Sequence, residues 1–226
     1  MNLTYKIFGP FVTSVRNNSL ISKLRQHREK RFQHLIRSQP RPLKILDIGG
    51  TEVYWESLGY SHDSDYEIIL VNIYQIPVKS PNIKSMIGDG RSLQDLKDQE
   101  FDVAFSNSVI EHVGGFADQK RMAKEMKRIG KRYFLQTPNY YFPIEPHFLF
   151  PFFQFLPMKI KVLLIQHFSL GWMGQQKNVA DATAVANSIR LLKRKELELL
   201  FPDSTILEEK IMGLTYSFLV YSGFDE

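Results

Sequence analysis

Short apolar runs recur along this chain at Leu43–Ile48, Glu67–Asn72, Ile83–Ile87, Phe101–Phe105 and Arg132–Gln136. Runs this short suit strands buried on both faces. Between the last two lies Phe116–Arg128, where Phe116, Met122, Met126 and the following Ile129 alternate with basic residues at helical spacing. Strands alternating with helices point to a parallel sheet covered on both sides. The far end reads differently: Lys193–Phe201 has a helical pattern stopped by Pro202, and Ser204–Ile211 and Leu214–Tyr221 are two β runs joined at Met212-Gly213. So short a connection makes that pair antiparallel. Ahead of the first run, Ser19 is placed to cap a helix running to about Ser38, with Leu20, Leu24, Phe32 and Leu35 on one side and Pro40 and Pro42 ending it.

With 226 residues, 43% of them apolar, the chain can bury one substantial core but is short for two. A single domain is expected over 1–226, divided into a basic helical arm (1–42), a ligand-binding core (43–137), an insertion (138–180) and a C-terminal helix with its β pair (181–226). No uncharged apolar stretch is long enough to span a membrane, and the first residues lack the apolar core of a signal peptide, so a cytoplasmic protein is expected. There are no cysteines, which removes disulfides, thiolate metal sites and cysteine nucleophiles. From Arg16 to Lys44 nine Lys or Arg face the single acid Glu29, leaving the rest of the chain net acidic. Such a run most simply solvates one face of a helix lying across the domain, with anionic ligands or acidic lipid as other uses. Nucleic acid is disfavoured, because no aromatic residues are interleaved at base-stacking spacings.

The segment KILDIGGTEVYWE brings a strand, an acid and paired glycines to the carboxyl end of the first strand, where open α/β sheets form their ligand crevice. Glycine there lets backbone approach a ligand without a Cβ clash. An ordinary strand-to-helix turn reads equally well from this segment alone. It is not the G-x-G-x-x-G dinucleotide fingerprint, since Thr51, Glu52 and Val53 follow Gly49 and Gly50.

Taken together, LDIGG, GDGRSL, FDVAFSNSVIEHV and the tail RLLKRKELELLFPDSTILEEK resemble the type 11 family of class I methyltransferases over roughly Leu43 to Tyr221. The resemblance implies an α/β, Rossmann-like fold: a seven-stranded, mostly parallel sheet with helices on both faces and an antiparallel last strand, here with an added N-terminal helix and an aromatic insertion after strand five. It implies S-adenosyl-L-methionine as cofactor. Asp47, Gly49 and Gly50 would lie near its methionine end, Asp89 and Gly90 near the adenine, and Asn107 beside the methionine moiety. Family members usually carry glycines where Thr51 and Val53 stand, and an acid for the ribose hydroxyls where this chain has Asn72.

Methyl transfer is an in-line displacement that chiefly needs alignment and exclusion of water, with a base helpful for hydroxyl acceptors. Glu111-His112 follows the fourth strand at the crevice edge. His112 is the candidate base, because its ordinary pKa is near neutral, and Glu111 its orienting partner or a helix-start acid. A packed or capping histidine is the bland reading of the same residue. The Glu-His pair also resembles the metal motif E-x-x-E-H of ubiquinone-pathway and small-RNA 2′-O-methyltransferases, but Ser108 replaces the first glutamate, and completing a site would require Glu145 and His147. Metal-free chemistry is expected. The stretch 137–156 (TPNYYFPIEPHFLFPFFQFL), rich in aromatics and prolines, suits a rigid flap over a hydrophobic or sugar-like acceptor, extra core, a dimer contact, or shallow membrane contact aided by the basic arm. The expected function is methyl transfer to a small-molecule or carbohydrate-type acceptor, at oxygen. The alternative is a catalytically silent binding protein of the same fold acting through its insertion.

Overall fold

The computed structural model describes residues 19–225. Helix α1 (Ser19–Ile36) leads into β1 (Leu43–Ile48), the short α2 (Glu52–Ser57), β2 (Tyr66–Asn72), β3 (Ile83–Ile87) and β4 (Phe101–Asn107). After a single helical turn at Ile110–His112 come α3 (Phe116–Ile129) and β5 (Gly130–Pro138). The insertion follows, with β6 (Ile144–Glu145), β7 (Phe150–Pro151), α4 (Met158–His167) and α5 (Val179–Asn187); α6 (Arg194–Leu200), β8 (Thr205–Ile211) and β9 (Leu214–Ser222) close the chain. The main sheet has seven strands in the order β3-β2-β1-β4-β5-β9-β8. β9 alone runs against its neighbours β5 and β8, as expected of the last strand. The capping role of Ser19, the core role of Leu20 and the arm residue Arg16 concern side chains or residues outside those described.

Alternation along the strands sorts the core onto the two sheet faces. Leu46 and Ile48 of β1 join Met122, Ala123 and Met126 of α3 and Leu197 and Leu200 of α6 on one face. Leu43 and Ile45 join Phe32, Leu35 and Ile36 of α1 and Trp55 of α2 on the other. Each of these α1 side chains is almost wholly buried, worth about 1.5–3 kcal/mol apiece, which holds the basic arm against the domain. The insertion has a small core of its own, built on Phe148, Phe153, Ile165, Leu170, Ala182 and Ala186. Extra core was thus part of its aromatic content. β5 runs to Pro138, two residues beyond the expected run, so Thr137 belongs to the sheet rather than to the insertion.

The β8–β9 connection is a two-residue turn with Met212 at φ 50° and Gly213 at φ 84°, the left-handed pair that matches the twist of a hairpin. This places β9 beside β5 and turns Glu209 of β8, only 4% exposed, towards α1. No helix among the described residues is long and apolar enough to cross a membrane.

Candidate active site

The loop after β1 is built around a buried carboxylate. Asp47 is 1% exposed; its Oδ2 accepts from Trp55 Nε1 at 2.7 Å, and its Oδ1 has no hydrogen-bond partner among the described residues. A Cβ on Gly50 would fall 1.7 Å from Asp47 Oδ2, and one on Gly49, at φ +80°, would fall 2.5 Å from Val109 Cγ2. Both glycines are therefore required by the packing of the loop itself. Asn72 Nδ2 donates to the Gly50 carbonyl at 3.0 Å and braces the loop from β2.

Burial pushes Asp47 up to about 7, against a smaller opposing effect of the Trp55 bond. A carboxyl whose folded pKa lies above its unfolded value of ~3.9 favours the fold while protonated. That contribution is fully present below about pH 4 and is lost as pH rises through about 7, amounting to roughly 4 kcal/mol at most. Asp47→Asn keeps an acceptor for Trp55 without a charge. It is expected to flatten the decline in Tm between about pH 4 and about pH 7; parallel Tm profiles for parent and variant would disprove this.

At the carboxyl ends of β2 and β3, Ile73, Tyr74 and Ile87 are each more than 60% exposed, and Ile87 is the register partner of Asn72. Asp89 follows directly. Its carboxylate accepts from Arg91 Nε at 2.9 Å and Nη2 at 2.6 Å and from the Arg91 backbone N–H at 2.9 Å. These bonds, with the Arg91 charge, hold it below the usual carboxylate range against a smaller effect of burial. A Cβ on Gly90 would meet Ile48 Cγ2 at 2.6 Å.

Helix α1 crosses the other side of this crevice. Arg28, 8% exposed, pairs with Glu209 Oε2 at 2.8 Å and donates from Nη1 to Asn107 Oδ1 at 2.6 Å. On one side of it a cavity of about 540 Å³ is lined by Thr51, Val53, Tyr54 and Asn107. On the other a cavity of about 220 Å³ is lined by Asn107, Ser108, Gln136, His147, Trp172 and Tyr216. Arg25, Arg28 and Asn107 border both.

Beside the smaller cavity three groups converge. Ser108, at φ 56°, starts the turn and donates from Oγ to Gln136 Oε1 at 2.7 Å. Gln119 Nε2 holds the Ile110 carbonyl at 3.0 Å, and the Arg190 N–H holds that of Glu111 at 2.8 Å. Thus fixed, Glu111 is fully buried; its Oε2 accepts from Thr137 Oγ1 at 3.0 Å, while Oε1 has no partner among the described residues. Burial pushes Glu111 up to about 7. From the insertion, His147 donates from Nδ1 to Glu145 Oε1 at 2.7 Å, and Glu145 Oε2 accepts the backbone N–H groups of His147 and Phe148. The rings of His112 and His147 meet edge to face with centroids 4.7 Å apart. One ligating atom each of Glu111, His112 and His147 lies within 4.8 Å of the others. His112 keeps an exposed edge, yet dehydration of its inner side, with His147 adding to it, pushes it down to about 4. For His147 burial acts downward but the Glu145 bond and charge outweigh it, and its pKa is raised.

Comparison with known proteins gives this arrangement its context. The type 11 family model, described as a methyltransferase domain, matches residues 48–133. Over those residues the chain is similar to the methyltransferase domain of the type 11 family. Two curated relatives, the uncharacterized proteins Rv1509 and MT1557 of Mycobacterium tuberculosis, are each 40% identical over 58 residues, which is 26% of this chain and 20% of their length. The chain thus aligns with a fifth of each. Among solved structures, the PH0226 protein from Pyrococcus horikoshii OT3 superposes with a TM-score of 0.52 at 16% identity, covering 89% of this chain and 90% of that one. The citrinin polyketide synthase CMeT domain reaches 0.53 at 11% identity, over 87% and 51%. At such identities the likeness is one of fold.

The crevice fits S-adenosylmethionine, the cofactor of the class that this segment resembles. Gly49 and Gly50 leave the backbone at the end of β1 bare of side chains, and a buried carboxylate oxygen of Asp47 is left unbonded. Three contacts were not foreseen from the sequence. Asp47 and Asn72 turn inward to support the glycine loop, because Trp55 and the Gly50 carbonyl are their nearest partners. The Asp89 carboxylate is engaged by Arg91 instead of standing open. The basic arm does more than solvate a helix face: it buries Arg28 against Asn107, bringing a cation to the crevice. Arg28, Trp55 and Thr137 were not singled out from the sequence. Their partners Glu209, Asp47 and Glu111 lie 181, 8 and 26 residues away, and nothing local marks the pairings.

Proposed function

We propose that the protein transfers a methyl group from S-adenosylmethionine to a hydroxyl oxygen of a small, carbohydrate-type acceptor. The carrying observation is the pair of cavities that meet at Asn107, one against the glycine loop and the other against the insertion. The larger takes the methionine end of the cofactor beside Thr51 and Asn107, and exposed Ile73, Tyr74 and Ile87 form an apolar seat for the adenine next to Asp89. When bound, the cofactor supplies a methyl carbon activated by a cationic sulfur. The smaller cavity takes the acceptor, with Trp172 and Tyr216 offering flat faces of the kind sugar rings stack on.

Asn107 and Gln136 orient the acceptor, and the proline-braced insertion excludes water. The acceptor proton passes to the cluster of Glu111, His112 and His147 as the oxygen–carbon bond forms, and the carbon–sulfur pair of electrons goes to sulfur. His112 is neutral at physiological pH and so has a lone pair ready, although its depressed pKa makes it a modest base on its own. The adjoining groups share the proton.

Calorimetry tests the cofactor half of this reading. Binding of S-adenosylmethionine or its demethylated product with a Kd of about 1–10 µM is expected, close to −8 kcal/mol, with none for a nicotinamide dinucleotide. Absence of heat with the first and binding of the second would overturn it.

A further inference from the structure

We infer that Glu111, His112 and His147 form a binding site for one first-row divalent cation of the Zn²⁺ type, with Glu145 as the group that aims His147. The inference rests on the methyl-transfer reading only for what the ion would do, not for whether it binds. Its basis is convergence from three parts of the chain: the turn after β4 supplies Glu111 and His112, and the insertion supplies His147, with the offered ligand atoms mutually within 4.8 Å.

A fully buried carboxylate ordinarily has both oxygens engaged, because an unpaired one costs about 1–3 kcal/mol or more. Glu111 has Thr137 on one oxygen and no partner on the other among the described residues. A cation supplies the missing partner. His147 also has the outer contact that metal-bound imidazoles characteristically show. The Nδ1 of His147 is committed to Glu145, itself 2% exposed and fixed by two backbone N–H groups, which leaves Nε2 as the free ligating atom. The His112 ring lies edge to face with that of His147 and is exposed on its outer side.

Two imidazoles and one carboxylate suit Zn²⁺ and its first-row neighbours, whereas Mg²⁺ and Ca²⁺ prefer all-oxygen sets. Bonds of about 2.0–2.2 Å bring tetrahedral ligand atoms to about 3.3 Å from one another. Rotation of the exposed His112 side chain closes the remaining distance. Three protein ligands leave a coordination position open, as in catalytic rather than structural sites. Because His147 lines the smaller cavity, an ion held by it would sit beside that cavity. A hydroxyl oxygen bound there would lose its proton more readily to water, through the same charge stabilisation that acidifies metal-bound water, and the ion would then replace the proton-accepting role of the histidines it holds.

The test uses the full chain, stripped with a chelator and titrated with Zn²⁺ by calorimetry and with Co²⁺ by visible absorption. One ion per chain is expected, with the d–d bands of a four- or five-coordinate Co²⁺ complex. Glu145→Gln should weaken binding ~10–100-fold, while Glu111→Gln and His147→Asn should abolish it, with unchanged Tm in metal-free buffer showing that each variant is folded. Absence of binding to the parent, or parental affinity in all three variants, overturns the inference. S-adenosylmethionine titrations on the same samples separate the two readings. Metal binding without cofactor binding removes the methyl-transfer reading and supports the site; cofactor binding without metal binding does the reverse.

Discussion

Gly49→Val is expected to abolish S-adenosylmethionine binding. The position has φ +80°, a conformation that costs an L-residue roughly 1–2 kcal/mol and a β-branched one more. Its Cβ would lie 2.5 Å from Val109 Cγ2, and overpacking of this kind typically adds about 1–3 kcal/mol. The loop can relieve both only by moving, and it then no longer presents its backbone to the ligand. At ~1.4 kcal/mol per tenfold, a loss of at least ~100-fold follows. Gly59→Ala is the control, since Gly59 shares φ +80° but has nothing within 4 Å of its would-be Cβ. It should lower Tm through backbone strain and leave cofactor affinity intact. Retained affinity in Gly49→Val, measured by calorimetry, would move the site elsewhere; lost affinity in both would reduce the effect to general destabilisation.

The contrast between Gly49 and Arg28 shows which parts of this site a sequence can reveal. The glycine loop was legible because it interrupts an apolar run within a few residues, and local chain geometry alone demands small residues there. The sheet was legible for the same reason: β1 and β3 have the expected bounds, and the others differ by a residue or two at their ends. Arg28 was one of nine basic residues in a run, and only its distant partner Glu209 on β8 distinguishes it. The inward turn of Asp47 was hidden similarly. Its alternation with Ile48 places it on the α1 face of the sheet, but the need to satisfy a buried carboxylate there became visible only with Trp55 in place. Thr51 and Val53, standing where relatives carry glycine, both line the larger cavity and Val53 is 71% exposed. His147 lies 35 residues from His112 in sequence, across β5 and the start of the insertion. Its meeting with Glu111 depends on the Glu145 hairpin, which no periodicity announces.

His112→Ala should lower turnover ~10²- to 10⁴-fold, the range for loss of a group that removes a proton in the transition state, and leave cofactor affinity nearly unchanged, because His112 faces His147 and not the glycine loop. His112→Asn, polar but without useful basicity, should be about as slow. The sharper measurement pairs it with His147. If the three groups act as a unit, whether by sharing a proton or by holding a cation, removing one disables the others, and the His112→Ala/His147→Ala double variant should be little slower than either single variant. Independent packing roles predict the opposite: small single effects that add, accompanied by matching losses in Tm. A parental rate for His112→Asn would remove proton transfer from its role. Multiplicative losses in the double variant would separate the two histidines. Addition of Zn²⁺ then distinguishes the two ways of acting together: with proton sharing, the ion leaves the chelator-treated parent's rate unchanged, whereas with a cation site it restores that rate and fails to restore either variant.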